Sequence, residues 1–211
     1  RAADLMILNI VFIICCLPIV TIGASLTALH YVTLKMVRNE ESYIVKSFFK
    51  SFKQNFKQAT IINLIMLLFG GILYLDLNII NNMSGSMASV LHVLFIAFGI
   101  VYFVIFLYLY PVLAKFYNTI KHTFRNAFLM SIRHLPYTVL MALITAAPVA
   151  IFFIPTAQVQ SIVLLLFILM RFSLEAFING HFLVKIFDNY IIETPSKTSD
   201  TEESSEQTPA V

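Results

Sequence analysis

In the run "LLLFILMRFSLEAFINGHFLVKIF" at 164–187, Arg171, Glu175 and Asn179 recur at intervals of four. On a helix that spacing draws one polar stripe down an otherwise apolar surface. Charged groups near a bilayer centre cost about 2.5 to 3.5 kcal/mol each even on insertion scales, so the stripe must face protein or water. Arg171 and Glu175 can pair along the helix, although acid after base is the weaker order. Two uses fit: a buried pair that locks its helix into a bundle, or a polar contact in a substrate, ion or proton path. Asn9, Asn63 and His181 are further candidates for such a lining. Other chemistry is missing from the sequence. The five histidines, His30, His92, His122, His134 and His181, show no metal-ligand spacing, and there is no phosphate-binding loop, dinucleotide turn or nucleophile elbow. The sequence therefore predicts no catalytic residue, no metal, no cofactor and no enzyme. Cys15 and Cys16 are adjacent within an apolar run and read as small packing residues.

The elements that hold these residues follow from composition. The 211 residues are 59% hydrophobic and 12% charged, with a mean hydropathy of +0.87, which excludes an ordinary water-soluble domain. A helix crossing a hydrocarbon core of roughly 30 Å needs about 20 apolar residues. Five stretches qualify: 5–34, 60–80, 88–113, 136–155 and 161–184. The expected fold is all-α, a polytopic membrane helix bundle of about five transmembrane helices over residues 1–192, with an acidic, Ser- and Thr-rich disordered cytoplasmic tail at 193–211.

Positive residues cluster in the 35–59 and 114–135 loops and after the fifth span, while the loops at 76–90 and 155–160 hold none. The positive-inside rule then predicts an N-out/C-in arrangement. The chain opens on Arg1 rather than Met, which points to a native start upstream; a cleaved signal peptide is not expected, because it would send the cationic loop outward. The 5–34 stretch is too long for one untilted crossing. Pro18 and Gly23 supply a break, read either as a kink and packing site or as a broken helix lining a substrate site. Tyr108, Tyr110 and Tyr137 suit an aromatic belt.

Two cytoplasmic segments at 43–58 and 115–134 are basic and amphipathic. In the first, Ile44, Phe48, Phe52 and Phe56 recur every four residues, with Lys46, Lys50, Lys53 and Lys57 on another face. In the second, Phe116, Ile120, Phe124 and Phe128 repeat the spacing, with Lys121 and Arg125 interleaved, and "IKHTFRNA" at 120–127 echoes "FKQNFKQA" at 52–59. An interfacial helix is expected for each: phenylalanines in the acyl boundary and cations on anionic headgroups, at about 1 kcal/mol per cation. Docking of a cytoplasmic protein is the other reading. Nucleic acid is not expected, since both segments are tethered close to membrane spans. A unit of span, basic helix and span thus occurs twice, as a parallel repeat.

The order of these motifs is itself informative. "LPIVTIGASLTALHYVTLKMVRNEESY" at 17–43, "FFKSFKQNFKQA" at 48–59, "YPVLAKFYNTIKHTFRNAFLMSIRHLP" at 110–136 and "FINGHFLVKIFDNY" at 177–190 resemble the YesL-like family of small bacterial membrane proteins, a family of unknown function. The resemblance implies a multi-pass protein of the bacterial cytoplasmic (plasma) membrane. It also implies an accessory or regulatory role in carbohydrate (oligosaccharide) uptake, with subunits of a sugar ABC transporter as partners. From the residues alone, the competing expectations are a stand-alone gradient-driven transporter or channel using the polar stripe, or a structural scaffold.

Overall fold

A computed structural model describes residues 1–40, 43–83, 85–148 and 157–190, and within them the chain is helical with no strand. Helix α1 (Ala2–Cys16) ends just before Pro18, whose missing N–H and bulky ring cannot continue the ladder. A short 3-10 turn, Ile19–Thr21, follows, and Thr21 Oγ1 donates to the carbonyls of Cys15 at 2.6 Å and Pro18 at 2.7 Å. Helix α2 (Ile22–Val37) then runs back along α1. Leu5, Leu8 and Phe12 share one core with Ala28, Leu29, Val32 and Met36, and the Arg1 side chain reaches Asn39 Oδ1. The 5–34 stretch is therefore a helical hairpin, not one kinked span. Its arms of 15 and 16 residues are about 23 Å long.

Asn39 closes α2 in the left-handed region at φ 56°. Its N–H bonds Met36 O and that of Glu40 bonds Lys35 O, the paired bonds of a Schellman stop. Helix α3 (Ile44–Asn81) is one uninterrupted rod of 38 residues, so the amphipathic segment 43–58 and the span 60–80 are a single element. No proline lies within it to divide the two halves. After a turn at Gly85 (φ 109°), α4 (Ser86–Lys115) returns antiparallel to α3.

The second basic segment is built differently from its echo. Residues 117–119 are not helical, and α5 (Ile120–Arg133) is shorter than the expected 115–134 helix. Gln54 Nε2 donates to Tyr117 Oη at 2.7 Å and Gln58 Nε2 to Asn118 O at 2.6 Å, tying the link to α3. At His134 the chain bends by 101° into α6 (Leu135–Ala146), with Pro136 in its first turn, the place a proline is tolerated. The expected span at 136–155 is described only as far as residue 148. The span at 161–184 falls inside α7 (Ala157–Asp188), and the tail at 193–211 lies outside the described residues.

Helix α2 is the hub, packed on α1, α3, α4 and α7. Its small residues Gly23, Ala24 and Ala28 permit close approach. A Cβ on Gly23 would stand 2.4 Å from Ala59 O and 2.7 Å from Asn63 Cβ, so glycine here is set by the α2–α3 contact rather than by the helix break. The aromatic stripe of α3 turns toward this hub. Phe48 is fully buried and Phe52 stacks on it, so protein covers this part of the stripe, while Phe56 is exposed. Phe116, Ile120 and Phe124 likewise pack on the core, and of the second stripe only Phe128 is exposed. Tyr108 and Tyr110 are buried as well, bonded to Thr138 and Asn63, and so are core residues rather than members of a belt.

By length and composition, Ile19–Val37, Ile44–Asn81 and Met87–Lys115 could each cross a membrane, and the bent α5–α6 pair would be a fourth among the described residues. The outer halves of α3 and α4 expose Leu68, Phe69, Leu75, Val93, Phe98 and Ile100, a surface suited to hydrocarbon. The chain is a membrane protein. At one end of the bundle Arg1 meets Asn39, and next to Asn39, Arg38 pairs with Asp188 at the end of α7.

Candidate functional site

The α1–α2 turn, α4, α6 and α7 surround a cavity of about 640 Å³. Its walls are mainly apolar, with Phe12, Leu26, Leu29, Phe106 and Phe172 prominent. Phe12 and Phe172 meet across α1 and α7 with ring centroids 5.2 Å apart. The turn is fastened to α3 by Asn63, whose Nδ2 donates to Ile19 O at 3.2 Å, and by Thr60 Oγ1 to Val20 O at 3.3 Å. Tyr110 lines the cavity from α4 and donates to Asn63 Oδ1 at 3.1 Å.

All three residues of the polar stripe line this cavity. Arg171 and Glu175 form an ion pair, their side chains 15% and 17% exposed. Arg171 Nη2 also donates to Thr145 O at 3.1 Å. Asn179, 5% exposed, donates through Nδ2 to Thr145 Oγ1 at 3.3 Å, while its Oδ1 is buried with no protein partner among the described residues. Thr145 on α6 is thus the meeting point of the stripe. His30 on α2 adds an Nδ1 that is likewise buried and unpartnered among the described residues. Such groups cost roughly 1–3 kcal/mol when left unsatisfied.

Pro18 and Gly23 do not line the cavity; Pro18 makes the turn whose flanks, Cys16 and Leu17, do. Asn9 holds α7 instead: its Oδ1 accepts from the backbone N–H of Phe172 and of Ser173, both at 3.1 Å, while Ser173 Oγ donates to Leu5 O at 2.7 Å. His181 is exposed and bonds Phe177 O at 3.0 Å. The cations Lys46, Lys50, Lys53, Lys57, Lys121 and Arg125 lie outside the cavity, all exposed. Cys15 and Cys16 are free thiols. Among the described residues no group of three His, Cys, Asp or Glu side chains is placed to hold a metal.

His30, Tyr110 and Thr145 are the lining residues that sequence reasoning passed over. A lone histidine within "LTALHYV" was the available signal, while Thr145 carries none, because only α6–α7 packing gives it a role.

A family described as "protein of unknown function, DUF624" matches residues 5–77, which are α1, α2 and most of α3. The chain is 27% identical over 128 residues to the uncharacterized protein YteU of Bacillus subtilis (strain 168). That alignment covers 60% of this chain and 56% of the relative, so the chain spans little more than half of the curated protein it matches. No solved structure matches. The two likenesses agree with the resemblance to a bacterial membrane family of unknown function.

Proposed function

We propose that this membrane protein binds a small molecule in the cavity between the α1–α2 turn and α7, and that the stripe of Arg171, Glu175 and Asn179 is the polar contact on that molecule's path through the bundle. The observation that carries it is the convergence on one cavity of all three stripe residues together with His30 and Thr145, from helices far apart in sequence. Nothing in this reading calls for catalysis. A gradient-driven transporter or channel would use such a site directly. Proteoliposome swelling in iso-osmotic solutes tests it: faster swelling than empty vesicles is expected, and its loss in Arg171→Ala with the variant still folded. Swelling no faster than that of empty vesicles would remove the transport reading.

A second reading is favoured by a separate observation. Phe48 and Phe52 pack inward on the core, while Lys46, Lys50, Lys53 and Lys57 are exposed as a cationic face beside exposed Phe49 and Phe56. That face suits anionic headgroups or an acidic partner surface, as an accessory subunit of a transporter would need. An oligosaccharide importer is the partner to which the family resemblance points. Crosslinking in native membranes followed by mass spectrometry should then recover a stoichiometric permease or nucleotide-binding subunit, lost on neutralising Lys50, Lys53 and Lys57; recovery of the protein alone would discard it.

For the membrane itself, the bacterial plasma membrane with the cationic end in the cytoplasm is the arrangement proposed. Residue 1 then lies on the cytoplasmic side, and the α1–α2 hairpin enters from and returns to that side. Four spans follow, from α3, α4, the expected 136–155 stretch and α7.

A further inference from the structure

We propose that the groove between the starts of α1 and α3 seats one glycerophospholipid of the surrounding leaflet, its phosphate at Lys46 and an acyl chain along Ile7. This rests on the headgroup reading of the cationic face and adds to it a site and a ligand. The groove, of about 720 Å³, is lined by Asp4 and Ile7 of α1 and by Tyr43, Val45, Lys46 and Phe49 at the start of α3. These side chains are within reach of a guest. Tyr43 is 71% exposed and Ile7 46%, and Val45, Lys46 and Phe49 are exposed as well.

Two chemistries meet along this groove. Helix α2 runs antiparallel to α1, and its start, at Gly23, meets α3 at Ala59, well along that rod, so α1 and α3 set out from the same end of the bundle in the same direction. On α1, Ile7, Ile10 and Ile14 are all exposed at spacings of three and four, an apolar track that leads from the groove toward the α1–α2 turn. On α3, Lys46, Lys50 and Lys53 are exposed at spacings of four and three, which draws a cationic track beside it. The groove is the seam between the two.

A guest that fits the seam must satisfy both sides. A purely apolar lipid would leave the ammonium groups without a partner, and a soluble anion would leave the isoleucine track bare. A phospholipid supplies a phosphate, which lysine binds as a point charge, and a chain for the apolar side. Asp4, the one acid of the lining, lies 3.2 Å from the Arg1 ammonium, and Lys46 with Lys50 one turn on keeps the rim positive. The lysine stems can lie along the apolar wall while their heads stay at the phosphate level.

Photolabelling of the full chain in nanodiscs compares phosphatidylglycerol with a diacylglycerol that carries the same diazirine-tagged acyl chain. Peptides containing Ile7 or Phe49 should be labelled about fivefold more by the phospholipid, the scale of one cation near a headgroup. Lys46→Gln should remove that preference, whereas Lys57→Gln, further along α3 and outside the groove, should leave it in place. Ile7→Trp fills the groove and keeps every charge; it should lower phospholipid labelling of the Phe49 peptide, so a defect of the lysine variant does not decide alone. Equal losses from Lys46→Gln and Lys57→Gln, or labelling indifferent to Ile7→Trp, would show diffuse attraction and overturn the groove while leaving the cationic face as a headgroup surface. Equal labelling by the two lipids at the groove peptides would identify ordinary boundary lipid and overturn the proposal. The same indifference at peptides across the whole of 43–58 would sink the headgroup reading too.

Discussion

Arg171 and Glu175 sit at the join between stability and function, and the two roles predict different outcomes. Arg171→Ala strands a carboxylate that is 17% exposed, and losing one partner of a buried pair costs roughly 3–5 kcal/mol. Replacing both, as Arg171→Met with Glu175→Leu, should cost less than the single change, because no charge is left alone. Thermal unfolding in detergent measures this; a double variant less stable than Arg171→Ala would refute it. If the pair only locks α7 in place, the double variant keeps swelling; if it touches the solute, the variant folds and loses it. The stripe itself was legible because residues four apart must share a helix face. Its partners were not, since Thr145 and Tyr110 are placed by α6 and α4, and the sequence does not say which helices meet. Tyr110 and Tyr108 looked like interface residues for their type and position. Their hydroxyls, bonded to Asn63 and Thr138, show the core instead.

Among the elements, the α2–α3 contact depends most visibly on one side chain. Gly23→Leu would drive carbon into the Ala59 carbonyl, and backbone cannot yield as a side-chain tip does. A loss of about 1–3 kcal/mol is expected from this overpacking, read as a lowered midpoint of unfolding, and Gly71→Leu on the same α3 rod, where nothing lies within 4 Å, should be tolerated. Equal effects at the two glycines would show that the close approach does not matter. Pro18 was readable as the place where a helix stops. The reversal was not, because proline fixes a break and not an angle; the angle comes from Thr21 bonding back to Cys15 and from Leu5, Leu8 and Phe12 packing on α2. The phenylalanine stripe shows a similar limit. A four-residue period announces an apolar face, yet lipid and a neighbouring helix satisfy it equally, and it is the full burial of Phe48 that identifies protein as the cover.

At the level of the whole molecule, the gathering of Arg1, Arg38 and Asp188 at one end has a direct test. In a background with Cys15 and Cys16 replaced, single cysteines at Ala2, Lys53 and Met83 can be probed with a membrane-impermeant thiol reagent on intact cells. Cysteines at 2 and 53 should be protected and that at 83 labelled. Labelling at 2 would restore a full first crossing and sink the hairpin arrangement. Positive residues grouped the basic loops on one side in the sequence, but the number of crossings before the first loop depended on whether 5–34 was a rod or a hairpin.

The two echoing basic segments end up mechanically unlike. In α3 the lysine face and the membrane half belong to one hydrogen-bonded rod of 38 residues, about 57 Å long, so tilting its cationic end also tilts the contact where Tyr102 rests against Gly70 and bonds Met66 O. Lys121 and Arg125 instead lie on a helix that meets α6 at a 101° elbow at His134, so no continuous hydrogen-bonded rod joins them to α6. One cationic segment is thus continuous with the apolar half of its own helix, and the other is divided from the next apolar helix by the elbow.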